Sequence, residues 1–124
     1  MRLDPDLLRE ILTELVDAPA NCRLRVPTIE GRSENEIFEH LELLADARFL
    51  EAKFLGSGSG GQRIFAVTVL RVTYAGQEFL AAARNDTLWT ETKKSFRERG
   101  IDFTIDLASR TLGMLAARAM GLPG

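Results

Sequence analysis

Gly56, Gly58 and Gly61 fall into the G-x-G-x-x-G spacing that can wrap backbone amides around a phosphate. Such a cradle needs a strand before it and a helix N-terminus after it, so that amide hydrogens and the helix dipole converge on the anion. Here the residues that follow, Ile64 to Val72, are apolar and largely β-branched, and no lysine stands where a P-loop needs one. The segment Gly56-Ser57-Gly58-Ser59-Gly60-Gly61 is instead expected to be the mobile tip of a β-hairpin. His40 is the only histidine and Cys22 the only thiol, too few soft ligands for a zinc site. A histidine base also wants a nucleophile and an orienting group, and nothing marks either. On a helical wheel His40 borders an apolar stripe, where a packing or hydrogen-bonding role is expected. Paired carboxylates such as Asp4 with Asp6, or Glu39 with Glu42, fit solvated helix surfaces with ordinary ionisation. No metal, cofactor or catalytic set is expected, and the chain reads as non-enzymatic.

Binding is the remaining chemistry, and charge bounds it. The 124 residues carry 16 Lys plus Arg and 18 Asp plus Glu, a formal net charge of −2. That balance excludes a strongly basic nucleic-acid binder and leaves a local patch as the only electrostatic route to DNA. The candidate cations are Arg32, Lys53, Arg63 and Arg71 around the hairpin, with Arg23 and Arg25 before the second helix. Residues 33–48, the second helix and its end, carry Glu34, Glu36, Glu39, Glu42 and Asp46 against Arg48 alone. Pressing that helix into a groove would repel phosphates, so any duplex contact is expected through the hairpin. The alternative partner is a protein, met by the acidic face Glu39, Glu42 and Asp46 with the outward Leu43. A third surface is the last helix, where Ser109, Gly113, Ala117 and Gly121 form a ridge of small side chains flanked by Leu112 and Leu115. Small residues let helices approach closely, so this ridge is expected either to pack on its own domain or to pair with a second copy.

The elements that position these residues are marked by caps and periodicity. Asp4, Pro5 and Asp6 start a helix that carries Leu7, Leu8, Ile11, Leu12, Leu15 and Val16 at helical spacing and ends before Pro19. Residues 20–32 read as a connection with a short edge strand at Leu24, Val26 and Thr28, interrupted by Pro27. Ser33-Glu34-Asn35-Glu36 is a capping box opening a helix to Ala47, with Ile37, Phe38, Leu41, Leu44 and Ala45 inward. Phe49–Leu55 and Ile64–Val72 are expected as paired strands, the second covered on both sides. Thr73 caps a helix to Ala83; another runs from Asp86 or Thr87 to Arg99, stopped by Gly100; the last spans Thr104–Met120. No apolar run is long enough to cross a membrane or to serve as a signal peptide. The lone Cys22 permits no intrachain disulfide, so a reducing, cytoplasmic setting is expected.

This order, helix, short strand, helix, hairpin and then helices, resembles the winged-helix domains of bacterial regulators, an α+β fold. Residues 36–47 leading into Phe49-Leu50-Glu51 resemble a recognition helix and the first wing strand. Val72-Thr73-Tyr74-Ala75-Gly76-Gln77-Glu78-Phe79-Leu80 is similar to the L-T-x-x-G-x-x-x-L segment that closes the wing. The combination S-x-x-E-I-x-x-H-L-x-L-L, L-T-x-x-G-x-E-F-L and R-x-D-x-x-W is similar to a family of short bacterial and phage proteins catalogued as a domain of unknown function. Ser33, Glu36, Ile37, His40, Leu41, Leu43 and Leu44 carry the first motif. Thr73, Gly76, Glu78, Phe79 and Leu80 carry the second, with Val72 for its leucine, and Arg84, Asp86 and Trp89 the third. The resemblance covers nearly the whole chain and implies a winged-helix fold of bacterial or prophage origin. The expected division is a winged-helix domain over residues 1–84 and a helical extension over 85–124 that packs on it or mediates dimerisation. It transfers no activity. One departure is visible: residues 20–32 hold too little apolar periodicity for the helix that usually precedes a recognition helix.

Overall fold

In the computed structural model of the chain, which describes residues 2–19, 24–56 and 63–123, the Asp4 carboxylate caps the first helix by accepting the N–H groups of Asp6 and Leu7. Helix α1 then runs Pro5–Asp17 and buries Leu7, Leu8, Ile11, Leu12 and Leu15 along one stripe. The capping box is complete: Ser33 Oγ accepts the Glu36 N–H while the Glu36 carboxylate accepts the Ser33 N–H. It opens α2, Glu34–Asp46. This helix ends in a Schellman turn, with Arg48 N–H donating to the Ala45 carbonyl and Phe49 N–H to that of Leu44. Arg48 takes the left-handed position there, φ 67°, where glycine is the usual occupant.

Strands β1, Leu50–Leu55, and β2, Ala66–Val72, form a two-stranded antiparallel hairpin. Its register pairs Leu50 with Val72 and Glu51 with Arg71, then shifts so that Ala52 meets Val69 and Leu55 meets Ala66. The shift leaves Leu70 as the extra residue of a β-bulge. Three helices follow: α3, Tyr74–Ala83; α4, Asp86–Arg99; and α5, Ile105–Ala119. Thr73, Asn85 and Thr104 cap them, and Gly100 at φ 64° stops α4. The architecture is thus mixed α+β, five helices and one hairpin among the described residues.

A single apolar cluster joins α1, α2, the inner face of the hairpin and the last three helices. Trp89 lies near its middle, edge-on to Phe79 and Phe103 with ring centroids 6.3 and 5.8 Å away. The Trp89 Nε1–H donates to Asp6 at 2.9 Å, and Arg9 lies over the indole at 5.3 Å. Arg9 also donates to the Ala83 carbonyl and Asp86, and Arg84 pairs with Asp17, so α1 is bolted to α3 and α4. The T-x-x-G segment explains itself here. Thr73 Oγ1 donates to the Arg48 carbonyl and its N–H to the Phe49 carbonyl. Gly76 then packs so closely that a Cβ would lie 2.2 Å from the Phe49 oxygen.

Two expectations are corrected. Residues 24–29 form no strand: Leu24 and Val26 are half-buried against the core, and Pro27, which has no N–H for a ladder, is itself buried. In line with its lack of apolar periodicity, the connection contains no helix over 24–32, only a turn closed by Arg32 N–H on the Ile29 carbonyl. Second, β2 is covered on one side only. Val67, Val69 and Val72 face inward, while Ala66, Thr68 and Leu70 are exposed, because no element among the described residues covers the outer face of the hairpin. The glycine tip at 57–62 and residues 20–23 lie outside the described residues.

Candidate nucleic-acid interface

The six candidate cations separate once their partners are known. Arg32 is a brace: its guanidinium donates to Asp4 at 2.6 Å and to Glu36 at 3.3 Å, tying the cap of α1 to the capping box of α2. Arg71 pairs with Glu51 at 2.9 Å across the strands, so its charge is matched on the spot. The Arg32–Asp4 and Arg71–Glu51 pairs link residues 28 and 20 apart in sequence, which no local reading shows. Lys53, Arg63 and Arg25 are exposed and form no ion pair among the described residues. Arg23 lies outside them.

Lys53 projects from β1 opposite Thr68, and Arg63 stands just ahead of β2. Between these cations the hairpin exposes large apolar side chains. Leu55 is 63% and Phe65 66% accessible; Leu70, at the bulge on the other side of Lys53, is 51% accessible. Phe65 N–H donates to the Leu55 carbonyl at 2.7 Å, so the two residues are fixed at the same level of the hairpin. Gly56, at φ 91°, closes this end: a Cβ there would sit 2.1 Å from the Arg63 carbonyl oxygen. The sequence reading missed this apolar surface by expecting cover on both sides of β2. The polar Thr68 in the middle of the run was the available signal of an open face.

The acidic face of α2 is narrower than its wheel suggests. Asp46 is exposed, but Glu39 is half-buried and held by the Asn35 side-chain amide at 2.9 Å. Glu42 and Leu43 are half-buried as well, so Leu43 does not stand free in solvent. His40 is 1% accessible and structural in its bonding: its Nε2 accepts the Asp4 N–H at 2.9 Å and its Nδ1 lies 2.8 Å from the Glu36 carbonyl. The neutral Nδ1–H tautomer satisfies both contacts. Among the described residues no group of three or more His, Cys, Asp or Glu side chains could hold a metal ion. A groove of about 1010 Å³ runs along α1. Its charged walls include the ion pairs Arg9–Asp86 and Arg84–Asp17, so much of its charge is spent internally.

On α5, Ala108 and Leu112 are buried, and Ser109, Leu115 and Ala117 are half-buried. Gly113 faces solvent, and a Cβ there would meet nothing within 4 Å. Among the described residues, no close approach requires a glycine at this position. Gly113→Ala should therefore raise stability by roughly 0.5–1 kcal/mol, the usual helix-interior difference. A chemical-denaturation midpoint that falls instead would show that the site has a contact needing glycine.

The carboxylates that brace α1 set an acid limit. Burial works against ionisation of Asp4, but hydrogen bonds from Arg32 and the Leu7 amide outweigh it and hold the group below its ordinary value. For Asp6 burial is likewise outweighed, by the bonds from Lys93 and Trp89. Carboxylates depressed on folding contribute stability above their unfolded values, and that stability is lost as pH falls through the folded ones. The melting temperature should be nearly flat from neutrality to about pH 5 and fall through about pH 4 and below. In Asp4→Asn/Asp6→Asn that acid slope should be shallower; an unchanged slope would contradict the assignment.

The chain belongs to the family described as Hypothetical protein (DUF2513), whose model matches residues 2–102. All three motifs noted in the sequence fall inside that span, and α5 begins beyond it. The chain is also similar to a Haemophilus influenzae protein described as an uncharacterized protein, 28% identical over 107 residues, 86% of this chain and 87% of the relative. No solved structure matches. No helix is long and apolar enough to cross a membrane among the described residues.

Proposed function

We propose that this protein is a winged-helix-like, non-enzymatic module that binds duplex DNA through its hairpin, in the manner of a small transcription regulator. The observation that carries the reading is the hairpin surface itself. Lys53 and Arg63 are free of ion pairs among the described residues and flank an exposed apolar strip. On the winged-helix reading this hairpin is the wing, an element that contacts phosphates or the minor groove. Helix α2, which would be the reading helix, carries five acids on Glu34–Asp46, so it is placed away from phosphates. Contact is led by the wing, with Arg25 as an outlying cation. A cytoplasmic regulator of bacterial or prophage origin fits this reading.

The test is a double substitution of exposed side chains that leaves the fold alone. Lys53→Ala/Arg63→Ala should weaken binding of a random duplex and reduce the magnitude of the log K against log salt slope by roughly 2, one phosphate per cation. An unchanged slope would refute the reading. The competing reading, an adaptor that grips a protein with the α2 acids, is favoured by the exposed Asp46 and weakened by the half-buried Leu43. Pairing of two copies through the outward Gly113 side of α5 is compatible with either reading.

A further inference from the structure

We infer that Leu55 and Phe65 form an apolar wedge that enters the minor groove and bends the duplex; this rests on the hairpin-led reading above. Two large apolar side chains, each close to two-thirds exposed at one level of the hairpin, are costly to leave in water. They are not on a loose segment. The Phe65 N–H to Leu55 carbonyl bond at 2.7 Å and the Leu55–Ala66 pairing fix their level on the hairpin. The close approach of Gly56 to the Arg63 carbonyl locks the end of the ladder beyond them. The neighbouring charges are one-signed: Lys53 lies two residues before Leu55 and Arg63 two before Phe65, both unpaired among the described residues. The nearest matched pair, Arg71–Glu51, sits at the other end of the strands. An apolar patch rimmed by cations is complementary to a groove whose walls are phosphates and whose floor is stacked bases.

That combination is how architectural proteins deform DNA. Cations hold the groove walls while an apolar side chain slides between two base pairs, unstacks them and kinks the helix away from the wedge. A wing that used cations alone would need no phenylalanine or leucine at this level. A protein partner would be expected to meet the same apolar strip without the salt dependence that phosphate contacts impose. Leu70 and Tyr74, exposed nearer the base of the hairpin, lie outside the wedge.

The experiment is resonance energy transfer across a duplex of about 30 base pairs labelled at both ends, recorded at saturating full-length protein. Wild type should shorten the end-to-end distance by an amount matching a bend within about 20–90°. Leu55→Ala/Phe65→Ala should lose that change while keeping the melting temperature and the salt slope, with affinity reduced within about tenfold. Binding by wild type with no change in end-to-end distance overturns the wedge and leaves the hairpin reading intact. Equal bending by the double variant overturns it too. Absence of duplex binding at low salt overturns both.

Discussion

Gly76→Ala should destabilise the protein by about 3 kcal/mol or more, the range of severe overpacking. The added methyl would lie 2.2 Å from the Phe49 carbonyl oxygen and 2.8 Å from Val72 Cγ1. Neither neighbour can yield. The Phe49 oxygen already accepts the Thr73 N–H at 2.9 Å, and Phe49 is buried with its ring 4.8 Å from that of Phe79. Val72 closes the ladder opposite Leu50. Relief would require α3 to lift from the base of the hairpin, breaking the Thr73 contacts to Arg48 and Phe49 together. Urea denaturation monitored by Trp89 fluorescence measures the loss. A shift under about 1 kcal/mol would mean the junction is looser than described.

Trp89→Ala should cost about 3–5 kcal/mol, the range for deleting a fully buried aromatic. Trp89 is 1% accessible and holds together four groups: Phe79 from α3, Phe103 ahead of α5, Arg9 over its face, and Asp6 on its Nε1–H. Trp89→Phe keeps most of the packing and drops the hydrogen bond to Asp6, so it should cost less, about 1–2 kcal/mol. The pair of variants also tests how residues 85–124 relate to 1–84. If the later helices were a loosely attached extension, Trp89→Ala would leave the main unfolding transition in place. One cooperative transition, shifted as a whole, is the outcome expected from a shared core.

The helices were legible because their boundaries are written locally. Asp4, the Ser33–Glu36 box, Thr73, Thr104 and the stop at Gly100 each act within a few residues, and the apolar spacing between them did the rest. The hairpin was legible as a pair of strands, but its register was not. The bulge at Leu70 depends on how two strands meet, and it is what leaves Arg71 outward and turns Val72 inward. The strand expected at Leu24–Thr28 fails for a related reason: alternation is present, but Pro27 removes a ladder donor and is buried instead. Among the candidate cations, Lys53 and Arg63 have no ion pair among the described residues, whereas Arg32 and Arg71 are matched by Asp4 and Glu51, 28 and 20 residues away. Pairings over such distances follow from the fold, so a count of local charge overestimates the patch.

The central claim is that the hairpin meets phosphates. Its most direct test is the anisotropy of a labelled random duplex titrated with wild-type protein at about 50 and 200 mM salt. Binding is expected at low salt and should weaken steeply at the higher concentration, as counterion release requires. No binding at low salt, where nonspecific phosphate contacts are strongest, would contradict it.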